Sequence, residues 1–134
     1  MRSVELELDT STRTITDVTP EIRAFCRDQG DGLLNVFVPH ATAGLAIMEL
    51  GAASDADLEA LLEQLLPHDD RYRHAHGSRG HGADHLLPAL LSPSLVLPVM
   101  GGEPALGVWQ SVAFVDTNRD NPTRHVRLTF LAST

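Results

Sequence analysis

The sequence predicts an α+β fold with a mainly antiparallel sheet. Three observations carry that expectation. Val4, Leu6 and Leu8 alternate with Glu5, Glu7 and Asp9, and Leu95, Leu97, Val99 and later Val126, Leu128, Phe130 repeat the same two-residue period. Hairpin and turn signals, Met100-Gly101-Gly102 and Asp120-Asn121-Pro122, separate such runs. Only one stretch has a strong helical stripe, Leu58, Leu61, Leu62, Leu65 and Leu66, so strands outnumber helices. At 134 residues the chain suits a single domain, 1–134, with a core of its own.

The elements follow in order. After the first strand, Thr10 to Arg13 reads as a polar turn, and a short second strand spans about Thr14 to Val18. Thr19-Pro20-Glu21 has the features of a helix start: a hydroxyl N-cap, proline at the first helical position and an acid in the first turn. Ile22, Phe25 and Cys26 give that helix its apolar face, and Gly30-Asp31-Gly32 stops it. Leu33–Val38 and Gly44–Glu49 are strand-like runs flanking a polar centre, Pro39 to Ala43. Ser54 opens the leucine-striped helix, with Asp57 placed as in a capping box, and Pro67 ends it. Residues 67 to 82 read as a long loop, a kind of segment that is often functional. A short helix from about Ala83 to Leu91 follows, bent or shortened by Pro88. His81 and His85 share a face if that helix reaches back far enough. The longest strand is expected from about Ala105 to Val115, with Trp109 packed in the core.

Composition narrows the function. The formal charge is −8 and there is no lysine, which argues against nucleic acid as a partner. No apolar run reaches membrane-spanning length, and Met1 to Glu5 lacks a signal-peptide core, so no membrane association and a cytoplasmic location are expected. The single cysteine, Cys26, excludes an intrachain disulfide and reads as a buried thiol.

Seven histidines are present, and five of them (His68, His74, His76, His81, His85) fall in one short segment. Neutral imidazole is a good zinc ligand, so a divalent metal, zinc or magnesium, is a candidate cofactor. The spacing matches no HExxH or CxxC motif, and GxSxG and P-loop signatures are absent. Metal-assisted hydrolysis therefore ranks last. His40 and Glu49, at the ends of two strands, form a candidate acid–base pair, and Gln110 is a candidate ligand-orienting amide.

These pieces match a family. His40-Ala41-Thr42-Ala43-Gly44-Leu45-Ala46-Ile47-Met48-Glu49 resembles the H-x-T-A-G-L-x-I-N-E stretch of the YjbQ-like family, named for secondary thiamine-phosphate synthase activity. Asp57-Leu58, Tyr72-Arg73-His74 (its Y-x-H), Ala83-Asp84-His85-Leu86 (its AHL segment) and Gly102 to Gln110 (its G-x-L-x-L-G-T-W-Q) follow in the same order. The resemblance spans about Val4 to Leu131. It implies a curved, mostly antiparallel sheet, sandwich- or half-barrel-like, with two or three helices, assembled as a homotrimer. It also implies a small phosphorylated ligand and a site near subunit boundaries where His40, Glu49, His74 and His85 meet.

Under that resemblance His40, Glu49 and His85 are the catalytic candidates, and His40, His74 and His85 the metal ligands. Thr42, Asp57, Gln110 and Arg124 are the substrate-binding candidates. The implied activity joins a hydroxymethylpyrimidine diphosphate to a thiazole phosphate, with cationic or metal-assisted stabilisation of the leaving pyrophosphate. The chain departs from the pattern at Met48 (Asn in the family), Val108 (Thr), His81 (near an Asn) and Asn121-Pro122-Thr123 (Gly-Pro-Arg). These departures favour a second reading, a non-catalytic metal- or phosphate-ligand-binding trimer.

Overall fold

In the computed structural model, which describes residues 1–134, all strand pairings are antiparallel. The strands are β1 (Arg2–Asp9), β2 (Ile15–Asp17), β3 (Gly32–Phe37), β4 (Ala43–Met48), β5 (Ser94–Met100), β6 (Glu103–Pro104), β7 (Ser111–Asp116) and β8 (Thr123–Ala132). The helices are α1 (Thr19–Cys26), α2 (Ser54–Leu65) and α3 (Gly82–Leu90). One sheet runs β1-β8-β3-β5-β6 and the other β2-β7-β4, and together they curl into the half-barrel expected of an α+β fold.

The main core lies between the two sheets. Leu34, Val36, Leu97, Val99, Val126, Leu128 and Phe130 enter it from the larger sheet, and Ala43, Leu45, Val112 and Phe114 from the smaller one. Helix α1 closes one end with Val18, Ile22 and Cys26. A second cluster, Leu62, Leu87, Ala113 and Val115, packs α2 and α3 on the outer face of the smaller sheet. Strand β7 is thus covered on both sides, with Val112 and Phe114 facing one cluster and Ala113 and Val115 the other. That is why it reads as a continuous apolar run instead of an alternating one.

Four local expectations are corrected. The strand expected from Ala105 begins at Ser111, because Gln110 Oε1 accepts the Gly107 N–H at 2.7 Å and closes a turn. Trp109 stands on that turn and is 73% exposed, so it is not a core residue. Thr19 does not cap α1: its hydroxyl oxygen accepts the Val112 N–H at 2.8 Å, a tertiary use. Ser54 and Asp57 form no capping box, since Ser54 Oγ donates to the Glu49 carbonyl and Ala53, at φ 70°, stands at the N-cap.

Candidate metal centre and the arginine cluster beside it

The loop before α3 is drawn back over the start of that helix. Tyr72 donates its hydroxyl to the Pro67 carbonyl at 2.7 Å, and Ser78 donates N–H and Oγ–H to Asp120 Oδ2, both at 3.1 Å. Gly82 makes the close approach possible. A Cβ there would overlap the Tyr72 side chain and lie 2.8 Å from the His74 carbonyl oxygen. Turns through Ala83 N–H to Gly80 O and Asp84 N–H to His81 O place His81 at the mouth of α3, one helical turn from His85.

Four imidazoles meet there. His74, His76, His81 and His85 bring one ring nitrogen each to within 4.8 Å of all the others. Ring centroids are 4.1 Å apart for His74–His85 and 4.6 Å for His81–His85, with the Nε2 atoms of the latter pair separated by 2.9 Å. Burial first, and then the neighbouring imidazoles, hold His74 and His85 below the usual histidine value. Low pKa keeps these rings neutral, the form that donates a lone pair.

A buried carboxylate supports the group from behind. Asp84, 2% exposed, accepts from His68 Nε2 and Thr117 Oγ1 at Oδ1, each at 2.6 Å. Its Oδ2 lies 3.3 Å from His81 Nδ1, and Asp120 Oδ2 is 3.5 Å from the same atom. Neither contact has hydrogen-bond alignment, so His81 Nδ1 is buried without a partner. The donor chemistry fits zinc: ligand atoms at about 2.0–2.1 Å around a tetrahedral ion stand roughly 3.3 Å apart. Magnesium, which prefers oxygen ligands and bound waters, fits four imidazoles poorly.

A second polar cluster sits across β7. Arg124, 4% exposed on β8, donates Nε–H to Asp116 Oδ2 at 2.6 Å and Nη2–H to Thr42 Oγ1 at 2.8 Å. Its Nη1 lies 3.3 Å from His40 Nδ1, while the His125 backbone N–H donates to His40 Nε2 at 2.8 Å. Burial, then Arg124 and His125, depress the His40 pKa. Burial pushes the Asp116 carboxyl up, against the pull of Arg124. Asp116 and Thr117 are consecutive, one serving Arg124 and the other Asp84.

The residues singled out from sequence are therefore distributed over several places. His74 and His85 come together, and so do Thr42, Arg124 and His40, but the two sets are separate. Glu49 is exposed at the end of β4, and its carboxylate makes no hydrogen bond within the chain. Asp57 is exposed in the first turn of α2, and Gln110 is occupied by its own turn. Sequence reasoning did not single out His76, His81, His68, Asp84, Asp116 or Thr117 as site residues. The histidine density of 68–85 was the available signal for the first three, and nothing in the sequence pointed to the others.

This is an α+β protein with a curled antiparallel half-barrel and a histidine-rich pocket at the start of its last helix. The family model described as "UPF0047 protein YjbQ-like" matches residues 4–133, and the chain belongs to that family. It is 64% identical over 126 residues to a UPF0047 protein of Mycobacterium tuberculosis, covering 94% of this chain and 95% of that one. A UPF0047 protein of Archaeoglobus fulgidus is 36% identical over 114 residues, covering 84% and 89% of the two chains. Among solved structures, a conserved hypothetical protein of Thermus thermophilus is similar at TM-score 0.82 and 32% identity, over 96% of this chain and 99% of that one. A YbjQ-like protein of unknown function from Sulfolobus solfataricus shares the fold at TM-score 0.89 and 19% identity, over 98% and 97% of the two chains. No helix is long and apolar enough to cross a membrane.

Proposed function

We propose that this protein binds a zinc-like divalent ion through His74, His76, His81 and His85 and uses the loaded site on a small phosphorylated ligand. The observation that carries this is the mutual approach of four ring nitrogens to within 4.8 Å. The carboxylate of Asp84 lies behind His81, in the position from which outer carboxylates commonly orient metal-bound imidazoles. Bound there, the ion would supply Lewis-acid stabilisation of charge on a phosphate oxygen. Around it, the depressed pKa values of His74 and His85 keep both rings unprotonated at neutral pH.

The finer reading is a thiamine-phosphate synthase-like transfer, coupling a hydroxymethylpyrimidine diphosphate to a thiazole phosphate. It draws on the family resemblance, as does assembly as a homotrimer. A non-catalytic binding protein is the second reading. It is favoured by Glu49, the expected acid, standing outside the histidine group within one chain.

Calorimetric titration of chelator-treated protein with zinc tests the metal reading. One ion bound per chain, and loss of that binding in His81→Ala and His85→Ala, is the expected result. No zinc uptake by the wild type overturns it. Incubation of zinc-loaded protein with the two heterocyclic phosphates then separates the readings, since coupling product appears only under the transferase one.

A further inference from the structure

A cavity of about 280 Å³ opens where α2, α3 and the ends of β2 and β7 meet. Asp84 stands between it and the histidine group. Its Oδ1 accepts from His68 and Thr117, which line the cavity, while its Oδ2 faces His81. The floor is apolar, made by Leu62, Leu66 and Leu87. On the rim, Glu59 and Glu63 lie one helical turn apart and exposed on α2. The volume is about twice the ~150 Å³ that suffices to hold benzene in a protein interior.

His68 reaches this space in a fixed orientation. Asp84 Oδ1 already receives the Thr117 hydroxyl, so the proton in its 2.6 Å contact with His68 belongs to His68 Nε2. The other ring nitrogen, Nδ1, is left on the side of Glu63, whose Oε2 is 3.8 Å away and beyond hydrogen-bond distance. The backbone behind the ring is clamped. Tyr72 donates its hydroxyl to the Pro67 carbonyl at 2.7 Å, and a Cβ on Gly80 would lie 2.6 Å from His68 Cα.

Nothing cationic offsets the two acids. No arginine lines the cavity, and the chain has no lysine. Arg119, which reaches Thr14 on the cavity wall, is committed to Thr14 Oγ1 and to the carbonyls of Thr10 and Arg13. Like charges one turn apart on a helix repel, and a cation seated between them relieves that repulsion.

We infer that this cavity binds a small primary amine in its ammonium form. Its hydrocarbon body rests on Leu62, Leu66 and Leu87, and its three N–H groups meet three acceptors: the carboxylates of Glu59 and Glu63 and the Nδ1 lone pair of neutral His68. The cavity uses none of the four clustered histidines, so metal-free protein tests it independently of the metal reading.

The experiment is methyl NMR of chelator-treated, 13C-methyl-labelled protein at neutral pH, titrated in parallel with benzylammonium, benzyl alcohol and benzoate. Benzylammonium should move the Leu62, Leu66 and Leu87 methyl signals saturably and bind at least about tenfold more tightly than its neutral isostere. The double change Glu59→Gln with Glu63→Gln, on an exposed helix face, should remove about tenfold or more of that affinity. No saturable shift with benzylammonium overturns the inference. So does binding of benzyl alcohol or benzoate as tight as that of the amine, or an unchanged amine affinity in the double variant. The comparison of the three probes uses the wild type, so it decides even where the variant misfolds.

Discussion

His81 and His85 hold their Nε2 atoms 2.9 Å apart, a separation at which one of the two must carry a proton between them. Under the proposed metal binding an ion would take that proton's place, and the ring hydrogen of His81 would then belong on Nδ1, facing Asp84 Oδ2 at 3.3 Å. Asp84→Asn should therefore weaken zinc binding roughly 10- to 100-fold. The same change removes the charge from the contacts with His68 and Thr117 and should cost about 2 kcal/mol of stability. Zinc calorimetry and urea denaturation read the two effects separately.

Acid should destabilise the metal-free protein. His40, His74 and His85 all have folded-state pKa values below 6.5, which means the unfolded chain binds protons more readily than the folded one. Their contribution is full above about pH 6.5 and is lost as pH falls through the depressed values. Urea midpoints measured from neutral to mildly acidic pH should fall, and His85→Gln should flatten the slope. Zinc affinity should decline in the same direction, because protonated rings have no lone pair to give.

Gly82→Ala isolates the packing that assembles the histidine group. A methyl at that position meets the Tyr72 side chain and the His74 carbonyl, so the loop carrying His74 and His76 has to lift away from α3. Overpacking of this kind costs about 1–3 kcal/mol. Zinc binding should weaken while the sheet, and hence the β-sheet circular dichroism, is retained.

Trp109, the only tryptophan, gives a simple test of the turn that interrupts the expected long strand. At 73% exposure its fluorescence should be quenched readily by acrylamide, and Trp109→Ala should change stability by no more than about 0.5 kcal/mol. Protection that grows with protein concentration would place this turn in a contact between copies, as a homotrimer could require.

Much of the architecture was legible because the larger sheet obeys a two-residue period: β1, β5 and β8 all alternate, and all pair antiparallel, though which strand lies beside which was not readable from the pattern. Where the reading failed, a tertiary partner had taken over a local signal. The Thr19 hydroxyl looked like a cap and instead serves Val112, and the apolar stretch Val108-Trp109 looked like strand but sits on a turn held by Gln110. The site was legible in part for a similar reason. Histidine density marked the right segment, yet only the fold of the loop over Gly82 determines that His76 and His81 join His74 and His85. Asp116 and Asp84 were invisible because a lone acid has no pattern until its partner is placed beside it.

The adjacency of Asp116 and Thr117 has a further consequence. Neighbours at a strand end face opposite ways, so inserting or deleting one residue upstream in β7 would displace both from their partners. A deletion would set Thr117 against Arg124 and Asn118 against Asp84, an insertion Val115 against Arg124 and Asp116 against Asp84, and either way both clusters would lose their partners at once. Length variation among relatives should accordingly gather after Asn118, in the turn before β8, where the chain can change size without trading those two side chains.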